Sequence, residues 1–171
     1  MTNSAIMEQL QALLGHAVPE DYQNLCRSYP ETLRHALRAL DDSDSQGTVA
    51  DVELISDLNS VLEINLEARS GSVPEPDGLD FYWPDQFLVI GESGDGDYFC
   101  IDAGDEDPVQ GVIQFDHQSV TFELVADTLD DFVTMLVHTF VEGGNCCGDP
   151  NCDHDHDHDD CDGDDCGHSH H

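Results

Sequence analysis

The sequence predicts an α+β fold, an antiparallel sheet packed against several helices in a single domain, with a low-complexity tail behind it. Three observations lead there. From residue 4 to about residue 67 the apolar residues recur mainly at helical spacing. At Phe87 the pattern changes to short apolar runs separated by turn residues, the signature of hairpins. Helical spacing then returns at Leu129. Helices, a meander and a closing helix make an α+β order, with the sheet covered on one face.

Each element has a local reason. Ser4 to Leu14 places Ile6, Leu10, Leu13 and Leu14 on one helical face, and Gly15 ends the helix. Pro19 suits the first turn of a second helix, where Glu20 and Asp21 favour the N-terminal dipole. Val18, Tyr22, Leu25, Cys26 and Tyr29 form its inner face. Pro30-Glu31 starts a third helix through Leu33, Leu37 and Leu40, and residues 41–47 form a loop. Val49 to Ile55 reads as a short edge strand, and Ser56 as the N-cap of a helix to about Glu67 with Leu58, Val61, Leu62 and Asn65 at helical spacing. Ser70 to Asp80, with two prolines and two glycines, reads as loop. Phe87–Ile90 and Tyr98–Ile101 form a hairpin around a glycine-bearing turn, and Val109–Phe115 and Val120–Val125 repeat the pattern. Thr128 caps a last helix, with Asp131 at the capping-box position and Leu129, Phe132, Val133, Leu136 and Phe140 on its apolar face.

Composition narrows the function. The chain of 171 residues has 38 acidic side chains, 4 arginines and no lysine, for a formal charge of −34. It has almost no cations with which to displace counterions from nucleic acid, and it is equally unsuited to anionic membrane surfaces. No apolar run approaches the ~18 residues of a membrane span. The first residues lack the basic and apolar regions of a secretory signal, so a cytoplasmic location is expected. The charge divides at Gly143-Gly144. Residues 1–142 carry −25, and residues 143–171 carry −9 together with 5 of the 7 cysteines and 6 of the 10 histidines. A segment so poor in large apolar residues is expected to be disordered without metal.

Leu14–Tyr22, Ile55–Asn65, Phe87–Asp102, Gly111–His117 and Asp130–Leu136, in this order and spacing, resemble the SUKH superfamily, the Smi/Knr-like domains. Leu14-Gly-His-Ala-Val-Pro-Glu-Asp-Tyr22 is similar to the family's approach to its second helix. Ile55-Ser-Asp-Leu58 leads into Glu63-Ile-Asn65, as in the family. Phe87-Leu-Val-Ile-Gly-Glu-Ser-Gly-Asp-Gly-Asp-Tyr-Phe-Cys-Ile-Asp102 resembles its Gly-Asp-Gly hairpin. Gly111-Val112, Phe115-Asp-His117 and Asp130-Asp-Phe-Val-Thr-Met-Leu136 occupy its last positions, so the resemblance spans roughly residues 10–140. The family's usual Asn-Gly-Gly after the second helix is replaced by Tyr29-Pro30. The resemblance implies a non-enzymatic binding module. Bacterial members are regarded as immunity proteins that neutralise toxin domains, and eukaryotic members as regulatory interaction proteins. It supplies no active-site residue.

The residues themselves point the same way. Gly94-Asp-Gly-Asp97 fails the calcium-loop register, with Phe99 and Cys100 where a ligand and a glycine are needed, and reads as a turn. His16, His35, His117 and His138 are scattered singly, and Cys26 and Cys100 lie on apolar faces where thiols act as small hydrophobes. Asp102, Asp105, Glu106 and Asp107 read as a solvated acidic loop. A body charge of −25 suits either solubility or a basic protein partner drawn in by the protein's field, and together with the resemblance it favours the basic partner, such as a nuclease toxin domain.

The tail is the sharpest chemical signal. Cys147 and Cys152 are separated by four residues, and so are Cys161 and Cys166, which makes two arms able to grip one tetrahedral ion. Cys146 is a spare ligand; His154, His156 and His158 alternate with aspartates, and His168, His170 and His171 close the chain. Thiolates and imidazoles suit zinc, nickel, cobalt or copper. Two functions compete. One is a basic-partner-binding immunity-type module with an appended metal-binding tail. The other is a metal-handling buffer or delivery protein in which the tail is the function and the body docks to a client.

Overall fold

The protein is seen as a computed structural model that describes residues 2–33, 52–74 and 78–143. Helix α1 spans Asn3–Leu14. The Thr2 hydroxyl accepts from the Ala5 amide at 3.4 Å, and Gly15, at φ 71°, ends the helix by donating to the Gln11 carbonyl. Helix α2 spans Glu20–Arg27, with Glu20 and Asp21 in its first turn and Arg27 in its last. Residues 31–33 are helical again, where a third helix is expected. Its remainder, with Arg34, His35, Leu37 and Leu40, and the 41–47 loop lie outside the described residues.

Strand β1 is Val52–Leu54, and helix α3 is Leu58–Ala68. The N-cap of α3 is Asp57 and not Ser56: the Asp57 carboxylate accepts from the Ser60 amide at 3.0 Å and the Ser60 hydroxyl at 3.1 Å. The segment expected to be loop contributes two strands, β2 (Ser72–Pro74) and β3 (Asp80–Tyr82), which pair antiparallel with Val73 opposite Phe81.

The main sheet continues with β4 (Phe87–Ser93), β5 (Tyr98–Asp102), β6 (Val112–Asp116) and β7 (Thr121–Ala126). Its order is β1-β4-β5-β6-β7, antiparallel throughout, as the period-2 pattern predicts. Strand β6 starts at Val112, later than expected, because Gly111 lies at φ 91° and any Cβ there would collide with the Ala126 carbonyl oxygen. Helix α4 (Leu129–Gly143) is capped by Thr128, with Asp131 at the expected position: the Thr128 hydroxyl accepts from the Asp131 amide at 3.0 Å and donates to the Asp131 carboxylate at 2.7 Å.

Both faces of the sheet are covered, where the sequence pattern alone predicts one. Phe99 meets Phe132 of α4 at a ring-centroid distance of 5.3 Å. Tyr98, the neighbouring residue in β5, points to the opposite face. There Phe81 stacks on Phe115 at 5.2 Å and Trp83 meets Tyr98 at 5.6 Å. Phe122 adds contacts to Phe87 and Phe115. The β2–β3 ribbon thus brings an aromatic lid to the second face. Phe87–Ile90 in β4 is accordingly buried at every residue, as expected of a strand covered on both sides.

Helix α3 runs beside β4. Where β1 stops, side chains of α3 take up the main-chain groups of β4. The Asn65 carboxamide accepts from the Val89 amide at 2.9 Å and donates to the Val89 carbonyl at 2.7 Å. The Arg69 guanidinium donates to the Phe87 carbonyl at 2.7 Å and the Asp85 carbonyl at 3.1 Å.

Candidate functional site

Among the described residues, carboxylates gather along a groove of about 340 Å³ between α3 and the β1–β4 edge. Five carboxylates line it: Glu53 of β1, Asp57 at the α3 N-cap, Glu63 and Glu67 of α3, and Glu92 of β4. The fold sets these positions from far-apart segments. Gly91 lets β1 lie close, since a Cβ there would sit 2.6 Å from the Glu53 carbonyl oxygen. That approach places Glu53 directly opposite Glu92 in the antiparallel register.

Two of these arrangements oppose folding. Like charges directly across a strand pair are destabilising, and so are Glu63 and Glu67, which stand four residues apart on a helix surface. Asp57 gains locally, because its hydrogen bond from the Ser60 amide holds its carboxyl below the usual range. The two described arginines direct their N–H groups elsewhere. Arg27 donates to Asn24 and Gln23, and Arg69 to Asn65, Asp85 and Phe87. A surface that assembles repelling carboxylates against local preference suits a cationic counterpart.

The hairpin that resembles the family motif proves to be a structural tie. Gly94–Asp97 forms the β4–β5 turn, with Ser93 and Asp97 hydrogen-bonded at 2.9 Å and Gly96 at φ 93°. Asp97 then joins this turn to the β6–β7 turn. Its carboxylate lies 2.7 Å from His117 Nδ1 and accepts from the His117 amide at 3.1 Å and the Gln114 carboxamide at 2.9 Å. Burial works against ionisation of Asp97, but these bonds outweigh it and hold the carboxyl low. Asp116 is likewise held low by the Ser119 and Gln118 amides. Ligand atoms of Asp97, Asp116 and His117 lie within 4.8 Å of one another. The Asp97 oxygens, however, already accept protein hydrogen bonds, so the constellation reads as two turns fastened together.

The other singled-out residues are dispersed. His16 Nδ1 lies 3.2 Å from Asp105, and His138 is exposed on α4. Asp102 organises the acidic loop by accepting from the Gly104 amide at 2.8 Å and the Val109 amide at 2.9 Å. Burial pushes the Cys100 thiol up to about 12 and raises that of the half-buried Cys26, which suits the apolar faces on which both lie. The expected metal ligands Cys146, Cys147, Cys152, His154, His156, His158, Cys161, Cys166, His168, His170 and His171 all lie outside the described residues.

Sequence reasoning treats the acidity as a property of the whole body and misses the groove. The spacing of Glu63 and Glu67 is a legible sign of it; the meeting of Glu53 with Glu92 requires the sheet order. Asn65 is placed on the inner helical face and in the family motif, but its bonds to β4 are not foreseen, and Arg69 is missed.

No helix among the described residues is long and apolar enough to cross a membrane. No curated protein and no solved structure matches the chain. Residues 2–135 match the family model of the SMI1 / KNR4 family (SUKH-1), which covers the sheet, helices α1 to α3 and the first half of α4, and the chain belongs to that family.

Proposed function

We propose that the body is a non-enzymatic protein-binding module of the immunity type, which holds a basic protein partner, such as a toxin domain, along the α3–β1–β4 groove. The observation that carries this reading is the gathering of five carboxylates from α3, β1 and β4 along one groove, with Glu63 and Glu67 one helical turn apart. A basic partner turns that crowding of like charge into attractive contacts and is drawn in by the body charge of −25. The family supports protein binding over catalysis.

The test compares affinity capture by the full chain with capture by a Glu53→Gln, Glu63→Gln, Glu92→Gln variant. The native chain should retain a basic protein, with association slowing steeply as salt rises, and the variant should lose it. Retention of the same partner by the variant, or of a partner without basic charge, sinks the reading.

The tail adds a second function. Cys147, Cys152, Cys161 and Cys166 supply four thiolates to one zinc-like ion, with nickel, cobalt and copper as the other ions of matching chemistry. The density of cysteine and histidine in residues 143–171 also supports the alternative in which metal buffering or delivery is the main activity.

A further inference from the structure

Beside the acidic groove lies a second hollow of about 270 Å³, between the C-terminal end of α3, β2 and the aromatic face of the sheet. Four aromatic rings line it: Phe81, Trp83, Tyr98 and Phe115. Their planes are not parallel. Trp83 stands at 85° to Phe115 and at 80° to Tyr98, while Phe81 lies nearly flat on Phe115 at 18°. Phe81 and Tyr98 are only half-buried, so the hollow opens to solvent between them.

Glu67 belongs to both surfaces: it lines the acidic groove and the rim of the aromatic hollow. The negative field reaches the rings. Burial, then the Glu67 carboxylate, then the Glu92 carboxylate raise the pKa of the Tyr98 hydroxyl. None of the residues lining the hollow is a cation. An apolar pocket that only awaited an aliphatic side chain would have no reason to carry a carboxylate at its rim. Trp83 and Phe115 are buried and form the floor. The exposed parts of Phe81 and Tyr98, a rim carboxylate and a volume suited to one extended side chain together select a cation with an apolar stem. A guanidinium suits this better than an ammonium, because it is planar, stacks on rings and is less strongly hydrated.

We infer that the hollow formed by Phe81, Trp83, Tyr98 and Phe115 is a recognition pocket for an arginine side chain of the basic partner, with Glu67 as the ion-pair acceptor. The inference rests on the groove reading above and adds a specificity element to it. The groove gathers positive charge, and the pocket distinguishes arginine from other cations and fixes the register of the partner.

The pocket carries its own reporter, since Trp83 is the chain's single tryptophan. The experiment titrates the full chain with an acetylated, amidated tetra-arginine peptide at low salt and follows Trp83 emission and, in parallel, the heat of binding. The arginine peptide should change the emission saturably. Tetra-lysine should bind at least about threefold more weakly, and the neutral citrulline peptide should do nothing. Glu67→Gln should weaken arginine binding by about threefold or more. Tyr98→Leu, which keeps apolar bulk and removes a π face, should do the same while the thermal midpoint confirms its fold. If the arginine peptide binds by calorimetry but leaves Trp83 emission unchanged, or if lysine equals arginine, the pocket is wrong and the groove stands. If the peptide does not bind at all, both fail.

Discussion

Asn65 and Val89 are joined by a reciprocal pair of hydrogen bonds: the carboxamide oxygen accepts from the Val89 amide at 2.9 Å, and the carboxamide nitrogen donates to the Val89 carbonyl at 2.7 Å. Asn65 is completely buried and is the one buried polar residue of the described core. The same nitrogen also donates to the Val61 carbonyl, and the same oxygen accepts from Arg69. Every hydrogen-bonding direction of the amide group is thus aimed at a defined neighbour, and helix α3 is keyed to one residue of β4.

Asn65→Ala should therefore be costly. It leaves a buried amide and a buried carbonyl of Val89 without partners, at about 1–3 kcal/mol for each orphaned group. A loss of about 2–5 kcal/mol in chemical denaturation is expected. Asn59→Ala, on the exposed side of the same helix, should cost under about 0.5 kcal/mol. Equal losses at the two positions would remove Asn65 from this role.

The groove carboxylates should work against stability. Glu63→Gln relieves repulsion from Glu67, and Glu92→Gln relieves repulsion from Glu53. Each change should raise stability at low salt by about 0.2–0.5 kcal/mol. The gain should fade in high salt as the charges are screened. Thermal melts at two ionic strengths check this; destabilisation by either change would show that the acids are held by favourable contacts.

Acid should loosen the link between the two turns. The Asp97 carboxyl is held below its ordinary value of 3.8, so its bonds to His117 and Gln114 stabilise the fold above that pH. The contribution disappears as pH falls from there through the folded-state value, because the protonated acid no longer offers a charged acceptor. Asp97→Asn should lower the thermal midpoint at pH 7 and flatten its fall below pH 4, about the ordinary carboxyl range. An unchanged acid limb in the variant would show that other carboxyls set it.

The tail should bind metal independently of the body. Cobalt(II) titration should give thiolate charge-transfer bands and release protons. Replacing Cys147, Cys152, Cys161 and Cys166 with serine should abolish the bands and leave the thermal midpoint of the body almost unchanged. The histidine sites should weaken below about pH 6 as imidazole protonates. Undiminished affinity in the four-serine variant would leave only a histidine–carboxylate sponge.

Local chemistry in the sequence reports what local chemistry decides. Thr128 with Asp131, Gly15 and Pro19 fix helix ends by contacts within a few residues, and each is readable. Ser56 and Asp57 are both capable caps; the choice between them depends on which oxygen reaches the Ser60 amide, a distance and not a composition. Strands β2 and β3 have three residues each, too few to show a period, and the two prolines and two glycines between residues 70 and 80 mask them. Their existence depends on Phe81 and Trp83 finding Phe115 across the sheet. The groove is hidden for the same reason, since Glu53 and Glu92 become neighbours only through strand pairing. The family resemblance does locate the β4–β5 hairpin, but the purpose of its Asp97 becomes visible only with His117 in place.

The shortness of β1 has a consequence for self-association. Among the described residues, the three-residue edge strand leaves the lower half of β4 without a neighbouring strand, and free main-chain groups on a sheet edge are a template for a strand from another molecule. Here Asn65 and Arg69 already hold the groups of Val89 and Phe87. A second copy, or a misfolded chain, therefore meets a closed boundary on this side of the sheet. Asn65 of α3 and Arg69 at its C-cap thereby take the strand groups that a main-chain partner would need.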